Sequence, residues 1–250
     1  MKAFQVCGFT KSGKTTVITS LIKHFTKMGQ QVASIKDIHF KDFQMDTEGK
    51  NTFLHKQAGA DPVVARGLKE TDFLYGRQMD FLEIASRIST DWLMVEGYHD
   101  FPLPKIVCGK TEKEVDEFLD KRTFAIAGVI GNVKKNYRDV PVFDVTKKED
   151  ILKLSELVQK KVFPLLPYVD DKCCQQCGST CTQMVEAIIQ GDKSFKDCQI
   201  QEAAIKLQIG EKNIPMVPFV QNMLRNSVMG MVSELKGWEK GKSVKILIEK

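Results

Sequence analysis

No stretch of this 250-residue sequence comes near the roughly 20 consecutive apolar residues that a helix needs to cross a bilayer, so no membrane association is expected. The apolar start, AFQVCGF, is too short and wrongly flanked for a secretory signal, and a cytoplasmic location is the expectation. Repeats and low-complexity tracts are missing. Strong charge of one sign is missing too. The net charge is only +5, most of it before residue 168. The clusters VKKNYR and Lys147–Lys148 therefore read as solvated faces, and no nucleic-acid partner is expected. Small anions remain suitable ligands. With 42% hydrophobic and 28% charged residues, the composition excludes disorder and predicts a chain folded throughout, as one full domain and a smaller one.

What is there first is a strand, a loop and a helix. Residues 2–7 read as a buried strand, Gly8–Gly13 as a tight loop, and Lys14–Met28 as a helix with Val17, Ile18, Leu21, Ile22 and Phe25 on one stripe, ended by Gly29. Short apolar runs follow at QVASIK, PVVAR, DFLY, WLMVEG, KIVC and FAIAGVIG, with helical patterns at FLEIASRI and EKEVDEFLD. This alternation predicts an α/β fold, a P-loop NTPase with a mostly parallel sheet, over residues 1–165. Thr146 as N-cap with Glu149 as its reciprocal partner predicts the closing helix, and Pro164 and Pro167 predict a short linker. A small cysteine-rich metal segment is expected over 170–200. Residues 201–250 read as a small α+β tail: two strands about Gly210, an amphipathic helix whose methionines 216, 223, 229 and 231 fill a core, and a final strand VKILIEK.

Gly8 through Thr15 match G-x-x-x-x-G-K-[ST] in the strand–loop–helix context that gives the pattern meaning. A backbone curled through Gly8, Phe9, Thr10, Lys11, Ser12 and Gly13 turns its N–H groups inward, and the helix N-terminus at Lys14, Thr15 and Thr16 adds partial positive charge. Lys14 is placed for the β- and γ-phosphates, and Thr15 for Mg²⁺. Four apolar residues and then Glu96, before Gly97, supply a second acidic group to polarise water or hold the metal, so Lys14 and Glu96 are the catalytic candidates. The polar loop between these motifs brings His39 and Asp46 as candidates to face the nucleotide or its metal. No N-K-x-D signature marks guanine; GNVKKNYRD is not one. Cys7 and Cys108 read as buried strand residues.

The series GKTT, IKDIH, MDTEGKNTFLHKQAGA and ASRISTDWLMVEGYHDFPLPKIV, in that order and spacing over residues 2–163, resembles the molybdopterin-guanine dinucleotide biosynthesis protein B family. The resemblance implies a GTP-binding P-loop protein with Mg²⁺, a homodimer with weak GTPase activity, that assists a molybdenum cofactor guanylyltransferase acting on a molybdopterin-type small molecule. It also implies roles for Lys36, His39, Asp46, Gly49 and Lys50 as a signature loop. The family commonly has His where Asp37 stands and Asp where Asn51 stands.

Five of the seven cysteines crowd between Cys173 and Cys198. Cys174, Cys177, Cys181 and Cys198, with Cys173 as a fifth, form C-x2-C-x3-C-x16-C, which suits an iron–sulfur cluster or zinc. With Gly178 and Gly191 the layout resembles the 4Fe-4S domain of corrinoid iron–sulfur proteins, with one residue fewer between Cys177 and Cys181. A nucleotide-gated iron–sulfur carrier or redox module is therefore a second reading. A small-metabolite kinase is a third, against which Arg66, Arg77, Arg87, Arg122 and Arg138 are scattered and do not gather into a lid.

Overall fold

Residues Lys2–Cys7, buried in all but the first, form β1 at the centre of a five-stranded sheet. This computed structural model describes residues 1–40, 42–97, 101–168, 177–198, 205, 207–210, 212–214, 216, 218–239, 244–246 and 248. After β1 come α1 (Lys14–Lys27), β2 (Val32–Lys36), α2 (Asn51–Gln57), β3 (Val63–Arg66), β4 (Thr71–Leu74), α3 (Phe81–Ser86) and β5 (Trp92–Glu96). They are followed by β6 (Lys105–Cys108), α4 (Glu112–Asp116), β7 (Thr123–Ala127), a 3₁₀ turn at Val129–Asn132, the short β8 (Asn136–Tyr137) and β9 (Val140–Pro141), and α5 (Lys148–Lys161). The sheet runs β2-β5-β1-β6-β7, every pair parallel. β5, β6 and β7 are buried at every position, as strands covered on both faces must be.

Helix α1 buries Val17, Ile18, Leu21 and Phe25, the stripe its 3.6-residue period predicts. Phe25 stacks on Trp92 at 4.7 Å between ring centroids. One apolar cluster gathers Ala3, Phe81, Leu93, Val95 and Leu103, and a second gathers Cys7, Val107, Val115, Ile126 and Ile130. Lys105, buried on β6, is held at 2.7 Å by Asp120, which also takes Arg122 at 2.6 Å. Burial raises the Asp120 carboxyl, but its hydrogen bonds from Arg122 and Lys105 outweigh burial and leave it below the usual carboxylate range.

Three local expectations are corrected. PVVAR and DFLY do not join the parallel sheet; β3 and β4 form a separate antiparallel hairpin, Val64 opposite Phe73, because a short connection can only turn a strand back on itself. Thr146 does not cap α5: its hydroxyl donates to Asp144 at 2.6 Å, and the N-cap is Lys147, without a side-chain cap. The proline segment is no free linker, since Val162 and Phe163 are buried, Pro164 bridges Lys2, and the Leu165 amide donates to Met1 O at 3.0 Å.

The chain divides into two compact units, Met1–Leu165 with Val185–Asp192, and Leu166–Met184 with Lys193–Lys250. The C-terminal part of α6 (Cys181–Gln190) thus belongs to the first, where Lys161 donates to Ile189 O at 2.7 Å and Gln190 to Lys121 O at 2.8 Å. In the second, β10 (Leu207–Ile209) and β11 (Lys212–Ile214) pair antiparallel about Gly210, followed by α7 (Pro218–Val232). Met216 is buried but Met223 and Met231 are exposed, so the methionines do not all fill a core; a two-stranded ribbon is too small to cover every face of a helix. The described residues of VKILIEK carry no strand. Among the described residues no helix is long and apolar enough to cross a membrane.

Candidate phosphate-binding site

The loop after β1 is shaped by contacts too close for any side chain. A Cβ built on Gly8 would stand 2.0 Å from Cys108 O, so the loop leaves β1 pressed against the end of β6. Lys11 is held at φ 61°, and Gly13, at φ 101°, precedes the first turn of α1. The first amides of α1 have no intrahelical acceptor and point along the axis towards the loop, which is the donor set an anion needs. Lys14 folds over this rim, its ammonium donating to Gly8 O at 2.8 Å and Phe9 O at 2.7 Å. Phe9 packs edge-on against Phe118 at 5.0 Å, and Thr10 is exposed. Ser12 is fully buried and its hydroxyl has no partner among the described residues.

One residue of this site escaped sequence reading. Gly128, at the end of β7, lies against Ser12: a Cβ there would stand 2.1 Å from Ser12 O, and the next amide, that of Val129, donates to that oxygen at 3.1 Å. The signal available was a glycine directly after a buried strand, in AIAGVIG.

Glu96 ends β5, the strand beside β1, and is 7% exposed. Its Oε1 accepts from the Thr15 hydroxyl at 3.0 Å and from the Lys36 ammonium at 2.5 Å. Because Thr15 gives its proton to Glu96, its lone pairs stay available, as a metal ligand requires. A hydroxyl and a carboxylate are hard oxygen donors, so Thr15 and Glu96 suit the Mg²⁺ that a phosphate loop implies, which would neutralise phosphate charge.

The signature segment continues from Lys36 through Asp37, whose amide donates to Glu96 O at 3.0 Å. His39 Nε2 lies 3.2 Å from Asp37 Oδ2. Asp46 Oδ1 accepts from the Thr47 amide at 3.0 Å and the Thr52 hydroxyl at 2.8 Å, at the entrance to α2. Gly49 and Lys50 lie just before α2, with the Lys50 amide on Thr47 O at 3.2 Å.

Of the cysteine candidates, Cys174 lies outside the described residues, as does Cys173. Cys177 is half-buried, Cys181 opens α6, and Cys198 is buried after a 3₁₀ turn at Phe195–Asp197. Among the described residues no three His, Cys, Asp or Glu side chains are grouped to hold a metal ion. Burial pushes the Cys7 thiol up to about 11 and the Cys108 thiol higher still, so neither is a nucleophile. Four of the arginines serve local ion pairs, Arg77 and Arg87 with Glu83, Arg122 with Asp120 and Arg138 with Asp116.

Residues 3–132 match the sequence profile of the family described as molybdopterin guanine dinucleotide synthesis protein B. A molybdopterin-guanine dinucleotide biosynthesis adapter protein of Methanocaldococcus jannaschii is 29% identical over 256 residues, covering 100% of this chain and 98% of its own. One from Bacillus subtilis is 33% identical over 146 residues, 56% of this chain and 83% of its own. The crystal structure of Bacillus subtilis MobB superposes with a TM-score of 0.54 at 25% identity, covering 63% of this chain and 98% of the other. The likeness to the Methanocaldococcus protein thus takes in the part beyond residue 165.

Proposed function

The chain belongs to the molybdopterin guanine dinucleotide synthesis protein B family, and from that premise we propose that it is a GTP-binding adapter of molybdenum cofactor biosynthesis. In this reading the loop from Gly8 to Thr16 cradles the triphosphate, Lys14 neutralises the β- and γ-phosphates, and Thr15 and Glu96 hold Mg²⁺. The observation that carries it is the hydrogen bond from Thr15 to Glu96 directly behind the loop, which joins the two halves of a nucleotide–metal site. In the same reading hydrolysis is weak, with Glu96 at the attacking water, and the chain assists a guanylyltransferase that joins GMP to a molybdopterin. Calorimetric titration with GTP and ATP in Mg²⁺, with capture of the guanylyltransferase by the purified chain, tests it. A preference for ATP, or no interaction with the transferase, would overturn it.

The homodimer finds support in the β3–β4 hairpin. It stands outside the main sheet and exposes Val64 at 48% and Phe73 at 63% as a cross-strand pair, an apolar surface that a second copy would cover.

The cysteine segment supports a second reading, a nucleotide-gated iron–sulfur carrier or redox module. Besides the spacing, Lys193 donates to Ser179 Oγ at 2.7 Å and to Cys177 O at 3.4 Å, which ties the chain leading to Cys198 back to the Cys177 turn. Iron, sulfide and zinc analysis of protein purified without oxygen decides it: a colourless protein with one zinc would leave a structural staple.

A further inference from the structure

Lys36 ends β2 and Glu96 ends β5, and the two stand opposite each other in the parallel register, so both side chains leave the sheet on one face. Their contact falls on the oxygen that also accepts from Thr15, the one the metal site would use. The carboxylate is fixed, its side chain 10% exposed, whereas Lys36 is 60% exposed on a flexible four-carbon stem. An ammonium and a divalent cation on that one oxygen weaken each other's hold, because like charges a few ångström apart repel.

We infer that Lys36 is a displaceable counter-cation: its ammonium and Mg²⁺ compete for Glu96 Oε1, and a metal-bound triphosphate draws the ammonium onto its terminal phosphate oxygens. This rests on the nucleotide site proposed above and adds to it a means of telling triphosphate from diphosphate. A diphosphate lacks the γ-phosphate that would receive the ammonium, which then stays on Glu96 and opposes the metal. A triphosphate offers charge-assisted hydrogen bonds in exchange. The backbone carries the consequence onward, since the Asp37 amide donates to Glu96 O at 3.0 Å and the signature loop starts there.

The test compares the full chain with Lys36→Met, Lys36→Arg and Glu96→Gln. Manganese affinity of the GDP complex is read by electron paramagnetic resonance, and the affinities for GDP and a non-hydrolysable GTP analogue by calorimetry. Lys36→Met is expected to tighten manganese on the GDP complex about tenfold and to weaken the GTP analogue about tenfold, leaving GDP measured without metal within about twofold. Lys36→Arg keeps the preference for triphosphate, and in the Glu96→Gln background the manganese gain of Lys36→Met disappears. A Lys36→Met protein that melts with the parent but changes GDP and GTP analogue alike, or leaves manganese unchanged, overturns the inference alone. A parent chain that binds neither nucleotide overturns the site itself.

Discussion

Gly128 lies so close to Ser12 that the phosphate loop and the end of β7 are one packed unit: a Cβ on Gly128 would stand 2.1 Å from Ser12 O, at a backbone φ of +85° that side chains rarely adopt. Gly128→Ala is therefore expected to destabilise the protein by about 2–4 kcal/mol and to weaken nucleotide binding, because the loop must shift to admit the methyl group. Thermal melts and a nucleotide titration check it; an unchanged melt and affinity would show that the loop yields freely.

Lys14 is expected to matter for binding and little for folding. Among the described residues its ammonium donates to two loop carbonyls, Gly8 O and Phe9 O, so Lys14→Ala should leave the melting temperature almost unchanged while weakening the triphosphate on the order of 100-fold. Calorimetry with GTP decides, and unaltered affinity would refute the site assignment.

The two strand cysteines should be silent in the native protein. Burial holds the Cys7 thiol up to about 11 and Cys108 higher, so iodoacetamide at pH 8 should leave both unlabelled, and urea should expose both to full labelling. Peptide mass mapping reads the outcome; equal labelling with and without urea would mean that β1 and β6 open in solution.

Asp144 ties stability to acid. The Thr146 hydroxyl at 2.6 Å and the Lys147 ammonium at 2.9 Å hold its carboxyl down to about 2. That lies below the ~3.9 of an exposed aspartate, so its contribution is complete above about pH 4 and is lost as the pH falls through about 2. Asp144→Asn should be less stable than the parent at pH 6 and should flatten the dependence of the urea midpoint on pH between about 4 and 2. Parallel slopes in the two proteins would remove Asp144 from the acid response.

Self-association should run through the hairpin. Phe73→Asp places a charge in the exposed Val64–Phe73 pair, and light scattering should report a monomer where the parent is a dimer. A dimer that survives the substitution lies on another surface.

What could be read before folding was what lies close in sequence. The strand, the phosphate loop and α1 are specified within one short stretch, where a buried run, two glycines and a helical stripe act on neighbouring residues. Glu96 was readable for the same reason, as a carboxylate at the end of an apolar run. The Thr146 cap failed although its spacing was right, because Asp144 competes for the same hydroxyl and local pattern gives no measure of which partner wins.

By itself the sequence determined that a backbone would curl between a buried strand and a helix, since those forces act over a few residues. Tertiary structure alone decided that Lys36 meets Glu96 across the sheet and that Gly128 presses on Ser12. Strand order and register bring such distant residues together, and no local propensity encodes them.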